Sequence, residues 1–455
     1  MRFGHAALAH FPLEPGGVYL NHGTVGVTPT VVMQARAAIL AEIERHPSRF
    51  MLRELAQLRF GAATEPERLP RLRAAAQQVG AFLGCSGERL VFVDNATAGC
   101  NAVLRSIDWR AGDEILVSDH GYGGVTRAAT FLARERGATV RTLAWPFPAL
   151  DAQACVDAVA AAIGPRTRLA VLDHVSSETA LVLPLAGMAA ACRARGVAVL
   201  ADGAHAPGAL ALDIGSLGVD WYAANLHKWA FAPRGCGVLW AAPGRERGLH
   251  AAVISWGVDH DDWLQEFDWP GTRDPSPWLA APAGVAFIEH TLGTAAMREH
   301  NHRLAWWTAL HLAERWGHAW RTPEAMVGCM VTVPLPARLG GGDAAKAQRL
   351  RDALLVQHGV EVPVIARADA LWARLSLQVY NDESDVEGSP QRWKRWPERI
   401  GRCGAPPPCA CRSAAVPGSH RCRRRQRCGR PTPHGESCGR RRRRHECRQT
   451  ASAAT

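Results

Sequence analysis

A chain of 455 residues, 47% of them hydrophobic, is more than one ordinary core holds, so two domains are expected. The formal net charge of +11 is local: residues 388–455 hold 18 of the 53 Lys and Arg but 3 of the 42 Asp and Glu, leaving a mildly acidic body of 35 basic and 39 acidic residues in 1–387 that is not expected to bind nucleic acid. No apolar run reads as a membrane span, and Met1-Arg-Phe-Gly-His-Ala-Ala-Leu lacks a sustained apolar stretch, so neither a membrane protein nor a signal peptide is expected and a cytoplasmic location is the default.

Residues 1–30 read as an entry segment, because Val18-Tyr-Leu-Asn21-His22-Gly23-Thr-Val-Gly-Val-Thr-Pro29 is rich in turn formers. Apolar periodicity predicts helices over Thr30–Ile43 and Leu69–Leu83, with Pro70 suited to a first turn. Leu90–Val93 reads as a strand that runs into Asp94-Asn95-Ala96-Thr97-Ala98-Gly99 and a helix over Cys100–Ile107. A strand, a turn of small residues and a helix start make an anion site, since free backbone N–H groups and the positive end of the helix dipole converge there. Glu114–Ser118 is the next strand, ending at Asp119-His120-Gly-Tyr122; a helix over Thr126–Arg136 and a strand over Thr139–Leu143 follow. Arg168–His174 reads as a buried strand that leads into a polar loop holding Ser177 and Thr179.

Val197–Ala201 and Trp221–Ala224 are short apolar runs that read as strands. They deliver Asp202-Gly-Ala-His205 and Asn225-Leu-His227-Lys228 at their C-terminal ends, where open α/β sheets place their ligands. One acid and one lysine are thus offered to one crevice. That pairing fits pyridoxal 5'-phosphate (PLP): a lysine forms the Schiff base, and a carboxylate keeps the pyridine nitrogen protonated so that the ring accepts electrons. A helix-capping Asp and a solvated Lys account for either residue alone, but not for the whole constellation. Gly235–Ala241 reads as a seventh strand closing the sheet. Helices over Pro277–Thr291 and Ala295–Trp316 lead into a mixed region: a strand over Met326–Pro334, a helix over Ala344–His358, and strands over Val360–Ile365 and Leu371–Gln378. The expected organisation is an entry segment (1–30), a large cofactor domain (31–285), a smaller α+β domain (286–387) and a tail (388–455).

Asp202-Gly-Ala-His205, His227-Lys228, Asn95-Ala-Thr97, Gly271-Thr272-Arg273 and Arg374-Leu-Ser-Leu-Gln-Val-Tyr380 occur in family order between about residues 15 and 387. In these motifs the chain resembles the class V aminotransferase-like, fold-type I PLP enzymes, above all the isopenicillin N epimerase-like branch, with cysteine desulfurases as more distant relatives. The resemblance implies an α/β fold, with a seven-stranded, mostly parallel sheet in a large domain and a smaller α+β domain after it. It assigns the cofactor phosphate to Ala96 and Thr97 with Asn225 and His227, the pyridine nitrogen to Asp202, and the ring 3-oxygen to His205. Lys228 becomes the Schiff-base lysine, free afterwards to move protons at the substrate α-carbon. His120 and Tyr122 both qualify as the flat group over the ring, and Ser177 or Thr179 would lie beside the cofactor. Asn21, His22 and Gly23 would line the substrate side. Arg374 would bind the α-carboxylate, for which a guanidinium fork is suited. Thr272 would cross to the phosphate of a neighbouring subunit, which makes the enzyme a homodimer. No metal is implied. Ala180 stands where the family often has Gly. The implied activity is epimerase, aminotransferase or lyase chemistry at the α-carbon of an amino acid, with a C–S lyase on a cysteine-derived substrate as the alternative. Desulfuration is disfavoured, because 359–370 holds no Cys to act as nucleophile.

The tail after Glu387 holds 7 of the 13 cysteines, a Pro/Arg/Cys mixture and the run Arg440–Arg444. Ile400 and Val416 are its only branched aliphatic residues, so it cannot bury a core and reads as disordered. No Cys-x-x-Cys pair supports a zinc module. Charge alone would suit a nucleic-acid arm. The preferred reading is an out-of-frame translation of GC-rich coding sequence, which accounts for both the composition and the abrupt end of the family pattern.

Overall fold

The structure is a computed structural model that describes residues 2–387 apart from positions 63, 64, 66, 146, 149 and 150. The tail expectations lie outside the described residues.

The short strand β1 (Val18–Tyr19) opens the fold. Seven strands then form one sheet: β2 (Leu90–Val93), β3 (Glu114–Ser118), β4 (Thr139–Leu143), β5 (Thr167–Asp173), β6 (Ala198–Asp202), β7 (Trp221–Asn225) and β8 (Gly237–Ala241). Their spatial order is β2-β8-β7-β6-β5-β3-β4. Only β8 runs against its neighbours, so the C-terminal ends of β2, β3, β5, β6 and β7 share one edge. β8 therefore does not close the sheet as expected; it is inserted between β2 and β7. Strands β2, β7 and β8 are buried along their whole length, as a mostly parallel sheet covered on both faces requires, whereas the edge strand β4 exposes Thr139, Arg141 and Thr142.

Separate apolar clusters fill the two faces of this sheet. One face is anchored by a buried ion pair: Arg73, in helix Arg71–Leu83, donates to Asp268 at 2.8 and 2.6 Å and to the Leu90 carbonyl at 2.9 Å. A third cluster packs helices Thr294–Trp316 and Ala344–His358 against the antiparallel strands β9 (Met330–Pro334), β11 (Val364–Arg367) and β12 (Ala370–Ser376), ordered β11-β12-β9. The two-residue strand β10 (Val360–Glu361) pairs with β1 and ties the entry segment to this region.

Three departures from the sequence expectations have a common cause in backbone chemistry. The strand expected over 360–365 is two strands with different partners, because Pro363 has no N–H to donate to a ladder. The helix expected over 277–291 is broken into Ser276–Leu279, Ala281–Ala286 and a wide turn Phe287–Leu292, with Pro282 starting the second piece. The helix expected from Cys100 begins at Ala96, because the Asn95 side chain accepts from the Ala98 N–H at 2.9 Å and caps it four residues earlier. The stretch His22–Arg45 is long and apolar enough to cross a membrane by composition, contrary to the sequence reading. In the fold it is two helices, His22–Val25 and Thr30–Arg45, parted at Gly26 and Pro29, with Val32 and Ile43 in the core.

Candidate active site

The shared strand edge forms the floor of a cavity of about 550 Å³. Asp202 is the last residue of β6, buried, and takes the Ala204 N–H at 3.0 Å. Asp173 ends β5, lies opposite Asp202 in the register, and lines the same cavity. Burial, then the charge of Asp202, pushes Asp173 well above the usual carboxylate range. Burial raises Asp202 as well, against the Ala204 N–H and the charge of Lys228, so the adjacent pair disfavours full ionisation of both carboxylates.

Lys228 follows β7 by three residues, and its Nζ lies 3.2 Å from His205 Nε2. Burial and the charge of Arg374 bring the amine down to about 7. Indole donates and never accepts, so the Trp229 Nε1–H bond to His205 Nδ1 at 3.4 Å puts the His205 proton on Nε2, facing the lysine. Burial, then Lys228 and Arg374, keep this imidazole neutral. The lysine's backbone is clamped as well. His22 Nε2–H donates to the Lys228 carbonyl at 3.0 Å, and its Nδ1 accepts from the Tyr380 hydroxyl at 2.9 Å. Gly26, at φ 70°, presses so close to the His227 carbonyl that a Cβ there would sit 2.0 Å from the oxygen.

On the other side of Lys228, His227 Nδ1–H donates to the Cys236 carbonyl at 2.9 Å and burial holds its pKa to about 4. Asn225 Oδ1 accepts the Ala96 N–H at 2.8 Å, which locks the start of helix Ala96–Ser106 onto the end of β7. Gly99 allows this helix to lie on β7, with Ala223 only 3.0 Å from where its Cβ would be. Thr97 lines the cavity at the helix start.

The wall opposite comes from far along the chain. Arg374 is buried in β12; its Nη1 donates to the Ser177 carbonyl and its Nη2 to Thr24 Oγ1, both at 2.6 Å. Burial lowers it to about 10, so it stays a cation at neutral pH. Its Nε is buried with no partner, and among the described residues no carboxylate comes within ion-pair distance. A cationic guanidinium without a carboxylate partner, on a residue that lines the cavity, suits a bound carboxylate.

The expected site residues are therefore distributed as follows. Ala96, Thr97, Tyr122, Ser177, Asp202, His205, Asn225, His227, Lys228, Gly23 and Arg374 line the one cavity. Of the two candidates after β3, Tyr122 lines it and is 47% exposed, while His120 stands outside it: its Nδ1 meets Thr179 Oγ1 at 2.8 Å and Phe147 packs edge-on against its ring. Thr179 is likewise drawn away, bonded to Ser176 and His120. Asn21 and His22 stand behind the wall rather than on it. The Asn21 side chain is held by Glu361 at 3.1 Å and by Thr24, and His22 is fully buried among Trp229, Phe231 and Tyr380. Thr272 is exposed and off the cavity, although the next residue, Arg273, pairs with Asp94 on its rim. Asp173, Thr24, Val25 and Arg234 also line the cavity and were not singled out from the sequence. Asp173 sits at a strand's C-terminal end, the same signal that marks Asp202; the other three carry none.

These groups suit PLP: a capped helix start for a phosphate, a buried carboxylate for a ring nitrogen, a lysine with a lowered pKa, and a spare guanidinium for a substrate carboxylate. The model of the aminotransferase class-V family matches residues 69–388. The chain belongs to the class-V aminotransferase family. It is 35% identical over 394 residues to an isopenicillin N epimerase of Amycolatopsis lactamdurans, covering 82% of this chain and 94% of that one. A putative L-cysteine desulfhydrase 1 of Oryza sativa subsp. japonica is 30% identical over 409 residues, covering 82% of each. Among solved structures, a cysteine desulfurase from Thermococcus onnurineus NA1 superposes with a TM-score of 0.67 at 18% identity (85% of this chain, 96% of that one), and the cystine C-S lyase C-DES with 0.66 at 21% (88% and 100%). The fold is that of the fold-type I PLP enzymes. As a class-V family member, the protein is a PLP-dependent enzyme acting at the α-carbon of an amino acid.

Proposed function

We propose that this enzyme removes the α-proton of an amino acid held by Arg374, with Lys228 as the group that takes it, and that its reaction is epimerisation, in which a second group on the opposite face of the α-carbon returns a proton. PLP, when bound, supplies the sink for the electrons left at the α-carbon. Arg374 fixes the α-carboxylate by its free donor, which sets the orientation of the α-hydrogen. The neutral His205 Nε2–H, 3.2 Å from the Lys228 amine, holds that amine in place without adding a competing charge. An amine near pKa 7 exchanges protons in both directions at neutral pH, and this lowered lysine beside a neutral donor is the observation that supports the reading. Ala96 and Thr97 with His227 would hold the phosphate, Asp202 the ring nitrogen, and Tyr122 the ring face.

The second reading, a C–S lyase on a cysteine-derived substrate, begins with the same proton removal and is favoured by the desulfhydrase relatives. An enzyme-bound persulfide, the desulfurase step, is not part of either reading, since among the described residues no cysteine lines the cavity. We further propose a cytoplasmic homodimer in which Thr272, exposed and off its own cavity, faces the partner's phosphate site.

The test is the visible absorption of the purified protein beside Lys228→Ala, with and without borohydride, followed by incubation with single-enantiomer amino acids in D2O. Inversion with deuterium uptake supports epimerisation. Sulfide release from cysteine derivatives with no inversion would replace it with the lyase reading. A soluble wild type that shows no borohydride-sensitive band after added PLP would refute both.

A further inference from the structure

Beside the cavity lies a second hollow of about 530 Å³ that shares Val25 and Arg234 with it and has Leu13, Val27, Met33 and Leu40 among its lining residues. None of the groups assigned to the cofactor or to the α-carboxylate lies on it. It is walled by the exposed apolar face of helix Thr30–Arg45, where Met33 is 48% exposed and Leu40 36%. Such a face so near a substrate site needs an occupant.

At the junction stands Arg234. Among the described residues its guanidinium makes no ion pair or hydrogen bond. The other cation on this hollow, Arg36, is engaged by Ser276 at 2.9 Å and Asp274 at 3.0 Å. Asp94, a carboxylate on the cavity, is taken by Arg273. Arg234 is therefore an uncompensated charge within electrostatic reach of both His227, which burial lowers first of all, and Tyr19, which burial and Glu361 raise against it. Its backbone is rigid. The Gly235 carbonyl accepts from Trp278 Nε1 at 3.1 Å, the Cys236 carbonyl takes the Leu226 and His227 N–H groups at 3.1 and 3.2 Å, and Ala232 N–H bonds the Leu226 carbonyl at 3.1 Å. A cation on a pinned loop between an amino-acid site and an apolar hollow is preorganised for an anion at a set distance from the α-carbon.

We propose that Arg234 and this apolar annex form a subsite for the far end of the substrate, an amino acid whose long, mainly apolar side chain carries a carboxylate. This inference rests on the PLP-site reading above. Arg374 takes the α-carboxylate, the annex takes the methylene chain, and Arg234 takes the second acid.

The experiment measures the dissociation constants of L-2-aminosuberate, its ω-amide and L-alanine with the PLP-loaded protein, by the change in visible absorption on mixing. Wild type is expected to bind the diacid roughly three- to tenfold more tightly than the equally long amide, a modest factor because Arg234 meets solvent. Both are expected to bind more tightly than L-alanine. Arg234→Gln should collapse the diacid-to-amide ratio to near one, and Arg234→Lys should restore part of it. Equal binding of diacid and amide by wild type, or a ratio that Arg234→Gln leaves unmoved, would overturn the subsite, as would a partner subunit filling the annex. Loss of the cofactor band, or no response to any of the three ligands, would instead strike the PLP-site reading itself.

Discussion

The floor of the site and its wall are built on different principles. The floor is a row of strand ends: Asp173, Asp202 and Asn225 close three neighbouring strands, and Lys228 follows three residues later. Each side chain is placed by the ladder that precedes it, so position in sequence nearly determines position in space. The wall joins Gly23, Thr24 and Val25 to Ser177 and Arg374, segments about 150 and 350 residues from the entry helix, which meet through two 2.6 Å bonds from one guanidinium. In the proposed reading the floor carries groups for a cofactor and the wall carries groups for a substrate. A fold that keeps the first rigid and assembles the second from remote loops can change substrate without rebuilding the cofactor site.

Breaking the floor should have the larger effects. Lys228→Ala is expected to lower turnover by roughly 10²–10⁴-fold or more while leaving the far-ultraviolet circular dichroism unchanged. In the unliganded wild type the Lys228 amine should become reactive to an acylating reagent as pH rises through about 7, read by mass spectrometry, rather than near the ordinary lysine value. Half-reaction above pH 9 would show that burial does not depress it. Behind the floor, Arg73→Met strands the buried Asp268 carboxylate and should cost about 3–5 kcal/mol in denaturant unfolding. A loss under 1 kcal/mol would mean that water reaches Asp268.

The wall should yield smaller and more selective changes. Arg374→Lys keeps the charge but loses the fork, so KM should rise roughly 10- to 100-fold with a lesser fall in kcat. Equal losses in both would place Arg374 in the chemical step rather than in holding substrate. Thr24→Val removes the acceptor for Arg374 Nη2 and should raise KM several-fold; an unchanged KM would mean that the Ser177 carbonyl alone positions the guanidinium.

The smallest expected effect is one of sign. The folded-state pKa of Asp173 is raised, by burial first and Asp202 second. A raised pKa makes its contribution to stability complete below the unfolded carboxylate value near ~4, and that contribution is lost as pH climbs above it. Asp173→Asn should therefore be more stable than wild type at pH 8, with the difference shrinking toward pH 4, as seen in unliganded denaturation midpoints. A variant less stable at pH 8 would show that Asp173 is ionised and paired.

Much of the floor was legible in the sequence because short apolar runs ending in polar residues announce strand ends. Asp202, Asn225, His227 and Lys228 all follow such runs, and Asp173 obeys the same rule. The family resemblance assigns His22 to the substrate side. Burial among three aromatic rings makes it a clamp on the lysine's backbone, and no local pattern distinguishes those roles. His120 and Tyr122 are two residues apart and chemically alike as ring-stacking groups; only the packing of Thr179 and Phe147 draws one away from the cavity.

The sequence by itself determined the strand ends, the acid–lysine pair and the helix start that can hold a phosphate, because backbone periodicity and capping act over a few residues. The tertiary structure alone decided that Arg374 meets Thr24, that β8 enters the sheet between β2 and β7, and that Arg234, unpaired among the described residues, lines both the cavity and the hollow beside it. Those outcomes depend on which distant surfaces bury one another, and burial is a property of the whole chain rather than of any stretch of it.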